Sequence, residues 1–307
     1  MQLQVQRFIG PWRPGDLDGF LALGLNNLIQ VLLIISLCRS VLGYPDALLF
    51  GQILPAAGVS LLVGNLAYTR LARQLAASER RDDCTALPYG INTVSLFAYI
   101  FLVMLPVKLA ALNNGMPEAE AISRSWHAGM VACMGSGLIE IVGAFSADRL
   151  RRWLPRAALL STLAGIALGY IALGFLLRTY AHPLVGLTSL AVIVLGYYAK
   201  VRWPLPTGLM AVLLGMVLAW SSGLIAPSPG AWQESIRTIS WHPPTLQLQI
   251  LWDNRSDLFP WLGVIVPMGL FNVIGSLQNL ESAEAAGDRY ATRTCLLIDG
   301  AGTLAAA

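Results

Sequence analysis

The sequence predicts an all-α polytopic membrane protein, and two observations lead to this fold class. Hydrophobic residues make up 56% of the 307 residues, whereas only 12% are charged. Soluble domains carry roughly 25% charged residues, so these few charges cannot cover a surface that faces water. The apolar residues also return in long runs, and many of these runs reach the roughly 20 residues that a helix needs to cross a bilayer.

Nine candidate membrane spans follow one another along the chain. They cover residues 17–42, 45–69, 86–107, 126–147, 157–177, 183–199, 205–224, 258–284 and 291–307. Residues 1–16 form a predicted cytoplasmic segment, and residues 225–257 form a predicted extracytoplasmic loop. Cytoplasmic segments carry an excess of Lys and Arg. With the N-terminus inside, 14 of the 20 Lys and Arg residues lie on the cytoplasmic side, which predicts this orientation.

Span one carries the polar residues Asn26, Asn27 and Gln30. Asn26 and Gln30 are four residues apart and therefore share one face of a helix. Polar side chains are costly in lipid and usually face the interior of the bundle. They either line a path for a solute or an ion, or they hydrogen-bond to a neighbouring helix. The spacing leaves both interpretations open.

Span three has an irregular start at Leu87-Pro88-Tyr89-Gly90-Ile91-Asn92-Thr93. Pro88 and Gly90 disfavour a regular helix, whereas Asn92, Thr93 and Ser95 are good N-cap residues. This pattern predicts an extended stretch followed by a helix that begins within the membrane. Such a helix start turns free N–H groups and a positive dipole end towards a ligand. The alternative is a loop at the membrane surface that ends in an ordinary cap.

The stretch from Asn272 to Asp288, at the end of span eight, contains three acidic residues. Glu281, Glu284 and Asp288 are spaced by three and then four residues, so they lie on one helical stripe. Buried carboxylates accept N–H donors from a ligand or carry protons. Alternatively, the three acids lie at the cytoplasmic surface, because the apolar run from Leu258 to Leu280 is already long enough to span. Glu140 in span four is a lone carboxylate, for which we expect a partner on a neighbouring helix and no ligand.

The sequence contains no pattern of catalytic or metal-binding residues. His127, His182 and His242 lie at span ends or in loops, without the spacing of metal ligands. The four cysteines show no CxxC spacing, and no Ser–His–Asp set, phosphate-binding loop or HExxH motif occurs. We therefore expect no enzyme activity, no catalytic residue, no metal and no cofactor. The net charge of +3 is too small to indicate a nucleic-acid partner.

The most specific pattern is Glu284-Ala285-Ala286-Gly287-Asp288-Arg289-Tyr290-Ala291. It is similar to the Glu-x-x-Gly-Asp-x-Tyr-Ala signature on the eighth span of the nucleobase–ascorbate transporters, also called the xanthine–uracil permease family. The polar start of span one and the broken span three resemble the first and third spans of that family. The order of these elements agrees over nearly the whole chain.

The resemblance implies a fold of fourteen spans in two inverted repeats of seven. A core of spans 1–4 and 8–11 carries the substrate past a gate of spans 5–7 and 12–14. Residues 17–147 would then be core spans one to four, residues 157–224 gate spans five to seven, and residues 258–307 core span eight and the start of span nine. The chain is therefore expected to be an incomplete copy, with one repeat and the beginning of its inverted partner.

The resemblance also implies a binding site between spans one, three and eight. Glu284 would accept N–H bonds from a nucleobase, and Asp288 would support the site or the coupling. The implied substrate-binding residues are Glu284, Tyr89, Gly90, Asn92 and Thr93, and the supporting residues are Asp288, Glu281, Asn26, Asn27 and Gln30. Many family members have Gln-His where this chain has Asn26-Asn27, which cannot titrate. Proton coupling through span one is therefore in doubt.

The expected function is secondary active, elevator-type transport of nucleobase-like solutes such as xanthine or uracil, coupled to H⁺ or Na⁺. The expected surroundings are the lipid bilayer of a bacterial inner membrane, and a homodimer is compatible with the resemblance. One alternative is an anion carrier of the sulfate–bicarbonate type, which should offer cationic or neutral ligands instead of a carboxylate stripe on span eight. Another alternative is a non-transporting membrane subunit, in which the polar residues pair with one another and leave no cavity.

Overall fold

The computed structural model describes residues 14–81, 83–153, 167–225 and 258–307, together with residues 157, 161 and 165. Throughout these residues the regular secondary structure is helical, without a strand. This confirms the predicted all-α class for the described part of the chain. Most of the predicted cytoplasmic segment 1–16 and nearly all of the predicted loop 225–257 lie outside the described residues, as does much of the first half of predicted span 157–177.

Nine helical segments are described, and we number them in chain order. They are α1 (Pro14–Ser40), α2 (Asp46–Glu79), α3 (Thr93–Asn113), α4 (Glu118–Trp153), α5 (Leu173–Ala181), α6 (Pro183–Tyr197), α7 (Thr207–Ser221), α8 (Leu258–Ala286) and α9 (Thr292–Ala306). Single π-helical turns lie within α2 at Leu49–Ile53 and within α3 at Tyr99–Met104, and another, Ala167–Ala172, leads into α5.

Five of these helices, α1 to α4 and α8, are long and apolar enough to cross a membrane. The helices α6 and α7 are apolar as well, but each has only 15 residues. The described residues therefore support a helical membrane protein with five candidate spans. The nine-span count and the inverted-repeat layout stay predictions.

The helices α2 and α4 extend well beyond the apolar runs that predicted them. The run in α2 ends near residue 69, yet the helix continues to Glu79 because its last turns consist largely of Arg, Leu, Ala and Gln, which are good helix formers. The helix stops where Arg80 adopts a left-handed conformation with φ of 56°. Hydrophobicity thus located the membrane-facing part of the helix, whereas helix propensity determined its end.

The chain divides into two compact units. Of the described residues, the first contains 27–153 and 258–307, with most of α1, the helices α2 to α4, and α8 and α9. The second contains residues 14–26 and 167–225, with α5 to α7. Within the second unit α6 and α7 approach closely at small residues. Ser189 of α6 donates a hydrogen bond to the carbonyl of Ala211 in α7 at 3.1 Å and lies next to Gly215.

The core of the first unit lies where α4 packs against α8 and α9. The helices α4 and α9 cross at Gly137 and Gly300, where an added Cβ on either residue would come within 3.2 Å of the other residue's carbonyl oxygen. Small residues allow such close backbone approach in membrane bundles. Gly143 of α4 similarly accepts the side chain of Val273 in α8. Close crossing brings the polar side chains of these three helices into contact.

Candidate functional site

The predicted break in span three is present. Residues 83–92 are not helical, and α3 begins at Thr93 with Asn92 as its N-cap. The side-chain oxygen of Asn92 accepts hydrogen bonds from the backbone N–H groups of Val94 at 3.0 Å and Ser95 at 3.3 Å. The predicted N-cap at this position is therefore confirmed.

The extended segment 83–92 enters the bundle. At its start, the N–H of Thr85 donates to the carboxylate of Asp288, just beyond the end of α8. Further along, Tyr89 lies against Gly64 in the middle of α2 and against Gly302 of α9. Gly302 is ten residues into α9, which corresponds to about 15 Å along that helix. The start of α3 therefore lies inside the bundle, and a loop at the bundle surface does not fit this geometry.

Tyr89 is held tightly by its neighbours. A Cβ on Gly64 would overlap its ring, and a Cβ on Gly302 would overlap its hydroxyl group. The hydroxyl lies 3.1 Å from Oγ of Ser60, which also donates to the carbonyl of Gly302, and the backbone carbonyl of Tyr89 accepts from Asn65 at 3.0 Å. Tyr89 thus anchors the extended segment between α2 and α9.

The helix α1 meets the break from another side. Nε2 of Gln30 donates to the hydroxyl of Thr93 at 2.6 Å, and Oδ1 of Asn27 lies next to Cα of Gly90. Gln30 is only 6% exposed, whereas Asn26 is exposed. Both Oδ1 of Asn27 and Oε1 of Gln30 are buried without a hydrogen-bond partner among the described residues. An unpartnered buried acceptor costs about 1–3 kcal/mol, so two of them at one helix start indicate a place for external donors.

Asn272 of α8 completes this region. Its side-chain oxygen accepts from the hydroxyl of Ser95 at 2.6 Å and from Nδ2 of Asn92 at 3.4 Å. Asn272 was not predicted as part of the site, although an amide in the middle of an apolar span was a usable signal. The five predicted residues that the structure brings together are Asn27, Gln30, Gly90, Asn92 and Thr93. We call these five residues, with Asn272, the inner polar region.

The predicted acidic stripe lies elsewhere. Glu284 is in the last turn of α8, where its carboxylate accepts from Arg289 at 3.0 and 3.1 Å and its side chain is 28% exposed. It is twelve residues from Asn272, or about 18 Å along the helix. Glu281, one turn before it, is buried. The structure therefore does not bring Glu284 to the inner polar region.

Asp288 forms a second polar site at the connection between α8 and α9. It is 2% exposed, and its carboxylate accepts from Arg81 at 2.5 Å and from the N–H of Thr85 at 2.8 Å. The hydroxyl of Tyr290 donates to the carbonyl of Thr85 at 2.6 Å. The carboxylates of Glu79 and Asp288 raise the pKa of Arg81 above its ordinary value, so the guanidinium stays charged. These contacts fasten the start of the extended segment to the end of α8.

A third polar cluster was not predicted as a unit. Glu140 of α4 is buried and lies 3.1 Å from the hydroxyl of Ser276 in α8, which confirms the expected partner on a neighbouring helix. The same hydroxyl lies 2.6 Å from the carboxyl of Asp299 in α9, and the phenol of Tyr68 donates to that carboxyl. Asp299 was missed because it stands alone in its helix, and only the packing of α4, α8 and α9 gives it partners.

The described residues contain no group of three or more His, Cys, Asp and Glu side chains that could hold a metal ion. Comparison with known proteins found no match among protein-family models, curated proteins or solved structures. The fold and the site thus define the protein only as a helical integral membrane protein with a broken helix in its bundle.

Proposed function

We propose that the chain belongs to a secondary active transporter of nucleobase-like solutes and that the solute binds at the inner polar region. One observation carries this proposal. The helix α3 begins inside the bundle, and two buried acceptor atoms without partners, Oδ1 of Asn27 and Oε1 of Gln30, lie beside that start. The resemblance of the segments 87–93 and 284–291 to the xanthine–uracil permeases supports the same proposal.

The chemistry of the inner polar region favours a solute with a lactam edge. The start of α3 contributes the positive end of a helix dipole, which attracts a carbonyl oxygen. The side-chain oxygens of Asn27 and Gln30 need N–H donors. Uracil and xanthine carry adjacent N–H and C=O groups, so one edge of the ring satisfies both requirements. An inorganic anion would meet the same two carbonyl oxygens with repulsion, which disfavours the sulfate–bicarbonate alternative.

Other parts of the proposal rest on the sequence. The distribution of Lys and Arg supports a cytoplasmic N-terminus, and we propose a bacterial inner membrane as the location. Elevator-type movement, coupling to H⁺ or Na⁺ and association into a homodimer follow from the resemblance. The direct contact between Glu284 and the solute is a separate hypothesis, because Glu284 is ion-paired with Arg289 about 18 Å along α8 from Asn272.

The test is binding of tritiated uracil and xanthine to the purified protein in detergent micelles. We expect Asn27→Leu and Gln30→Leu each to weaken binding about tenfold, because one hydrogen bond of about 1.4 kcal/mol corresponds to a factor of ten. Gln52→Leu, at an exposed position of α2, is the matched control and should bind as the wild type does. The proposal fails if the wild-type protein binds neither base, or if both variants bind normally.

Two further measurements in the same assay separate the alternatives. Glu284→Gln should leave binding unchanged if the solute lies only at the start of α3, whereas a tenfold loss would support its direct contact. Competition by millimolar sulfate would favour an anion carrier over a nucleobase carrier.

A further inference from the structure

Three helices bring a buried carboxyl group, Glu140, and a half-buried one, Asp299, to the same hydroxyl group. Oγ of Ser276 in α8 lies 3.1 Å from Oε1 of Glu140 in α4 and 2.6 Å from Oδ2 of Asp299 in α9. Glu140 is 3% exposed. The 2.6 Å contact lies within the usual range for an O–H···O hydrogen bond, and the 3.1 Å contact lies just beyond it. The proposed solute contacts use none of these three side chains.

The number of protons in this arrangement restricts its charge. A hydroxyl group has one proton and donates one hydrogen bond, whereas an ionised carboxylate can only accept. Ser276 can therefore satisfy one ionised carboxylate. Its other contact is a hydrogen bond only if that carboxyl group carries a proton and donates it to Oγ. When both contacts of Ser276 are hydrogen bonds, one proton resides on Glu140 or Asp299.

Neighbouring donors do not remove this requirement. The phenol of Tyr68 donates to the other oxygen of Asp299. The hydroxyl of Thr303 lies 2.9 Å from the backbone carbonyl of Asp299 and 3.5 Å from Glu140, so its single proton goes to the carbonyl. Neither donor supplies a proton for the contacts of Ser276 with Glu140 and Asp299.

In the part of the chain that the structure describes, no cation balances the two carboxyl groups. Within the described ranges, no Lys or Arg lies within ion-pair distance of Glu140 or Asp299. The titratable groups that face the pair from the surrounding elements are all phenols or thiols: Tyr68, Tyr89, Tyr99, Cys133 and Cys295. Two unbalanced negative charges inside a membrane bundle would be very costly, whereas a single shared proton removes one of them.

We propose that Glu140 and Asp299 form a proton-binding site that holds one shared proton at neutral pH, with Ser276 as the bridge between them. The proton belongs to the pair, because two interacting carboxyl groups titrate as one unit. This site supplies a titratable group that span one lacks, since Asn26 and Asn27 cannot bind a proton.

The proton-binding site is linked to the extended segment through aromatic and hydroxyl contacts. Tyr68 donates to Asp299, and its ring packs against the ring of Tyr89 edge to face at 5.9 Å. Ser60 joins the hydroxyl of Tyr89 to the carbonyl of Gly302, which lies next to Thr303 in α9. If the protein is the transporter proposed above, on which this step rests, the coupled cation is a proton and this pair binds it.

Infrared spectroscopy of the full chain tests the proton-binding site without any solute. At pH 7 the wild-type protein should show the C=O band of a buried carboxylic acid that shifts on exchange into D₂O. Glu140→Gln and Asp299→Asn should each abolish the band, because the amide replaces the neutral acid and the remaining carboxyl group ionises. Glu120→Gln, at an exposed position of the same helix α4, should keep it. A wild-type spectrum without the band, or a band that survives in both single variants, would overturn the inference.

A second measurement applies even if a variant does not fold. Wild-type protein labelled with ¹³C at the Asp or at the Glu side-chain carboxyl should shift the band, and its intensity should correspond to one acid per pair. A band that neither label moves contradicts the inference.

Proton uptake on solute binding tests whether solute binding is coupled to the proton-binding site. It also distinguishes a failure of that site from a failure of the proposed function. In weakly buffered solution, binding of uracil or xanthine should change the proton content of the wild type but not of Glu140→Gln. Normal solute binding without any proton change would overturn the coupling and leave the proton-binding site intact. The expected infrared band without solute binding would contradict the proposed function alone.

Discussion

Asp288 and Glu140 are equally buried carboxyl groups in the same unit, yet their surroundings are opposite. Asp288 receives the guanidinium of Arg81 and the N–H of Thr85. Glu140 meets only hydroxyl groups among the described residues, those of Ser276 and Thr303. The first environment stabilises an anion, and the second stabilises an anion poorly. The comparison teaches that the available donors, rather than the degree of burial, decide the charge of a buried acid.

The largest difference in stability is expected between Asp→Asn substitutions at Asp288 and at Asp299, the partner of Glu140. Asp288→Asn removes the buried carboxylate that accepts from Arg81 and Thr85, so we expect the free energy of unfolding to fall by about 2 kcal/mol, the value of hydrogen bonds to a charged group. Asp299→Asn exchanges one neutral group for another if the shared proton resides there, so the loss should stay below about 1 kcal/mol. Unfolding in detergent micelles at pH 7 measures both. Equal losses, or a larger loss at Asp299, would contradict the proposed difference in charge.

An intermediate effect on the free energy of unfolding is expected at the contact between Gly64 and Tyr89. Gly64→Ala places a methyl group against the Tyr89 ring, whose hydroxyl end lies against Gly302. Overpacking of this kind costs about 1–3 kcal/mol. Gly58→Ala in the same helix meets nothing within 4 Å and should instead gain up to about 1 kcal/mol from helix propensity.

Thermal unfolding of these two variants gives the sign of each effect. A stabilised Gly64→Ala protein would show that Tyr89 is not wedged between α2 and α9.

The smallest effect concerns Cys84, beside the Asp288 site. Burial raises the pKa of its thiol, Asp288 raises that pKa further, and the charge of Arg81 lowers it. Since the thiolate is the reactive form, maleimide labelling at pH 7 should be slower than for a free cysteine. Arg81→Gln should slow it by a further two- to fivefold, and Asp288→Asn should accelerate it by a similar factor, which are typical sizes for partly exposed charges.

Peptide mapping by mass spectrometry distinguishes Cys84 from the other three cysteines. Labelling rates that do not respond to either variant would show that Cys84 does not sense the charges of that site.

Local signals predicted much of the fold and part of the candidate site. The apolar runs located the long helices, because each run reflects the composition of a single segment. Pro88, Gly90 and Asn92 predicted the break and the cap of α3, since a cap acts within three residues of the chain. The four-residue spacing within span one did not predict which amide faces the break. The structure buries Gln30 and the side-chain oxygen of Asn27 there and leaves Asn26 exposed.

The surroundings of the acidic residues could not be predicted from local patterns in the sequence. The spacing of Glu281, Glu284 and Asp288 established a common stripe, but it could not place that stripe relative to the start of α3. The pattern also gave no reason to join Glu140 with Asp299, which are more than 150 residues apart in the chain.

By itself the sequence determined the helical membrane class, the positions of the long helices and the cap at Asn92. These properties depend on composition and on interactions between near neighbours in the chain. Only the tertiary structure decided that Asp288 is bound by Arg81 and that Glu140 shares a hydroxyl group with Asp299. The charge of a buried carboxyl depends on the donors within about 3 Å, and for these two acids helices distant in sequence supply them.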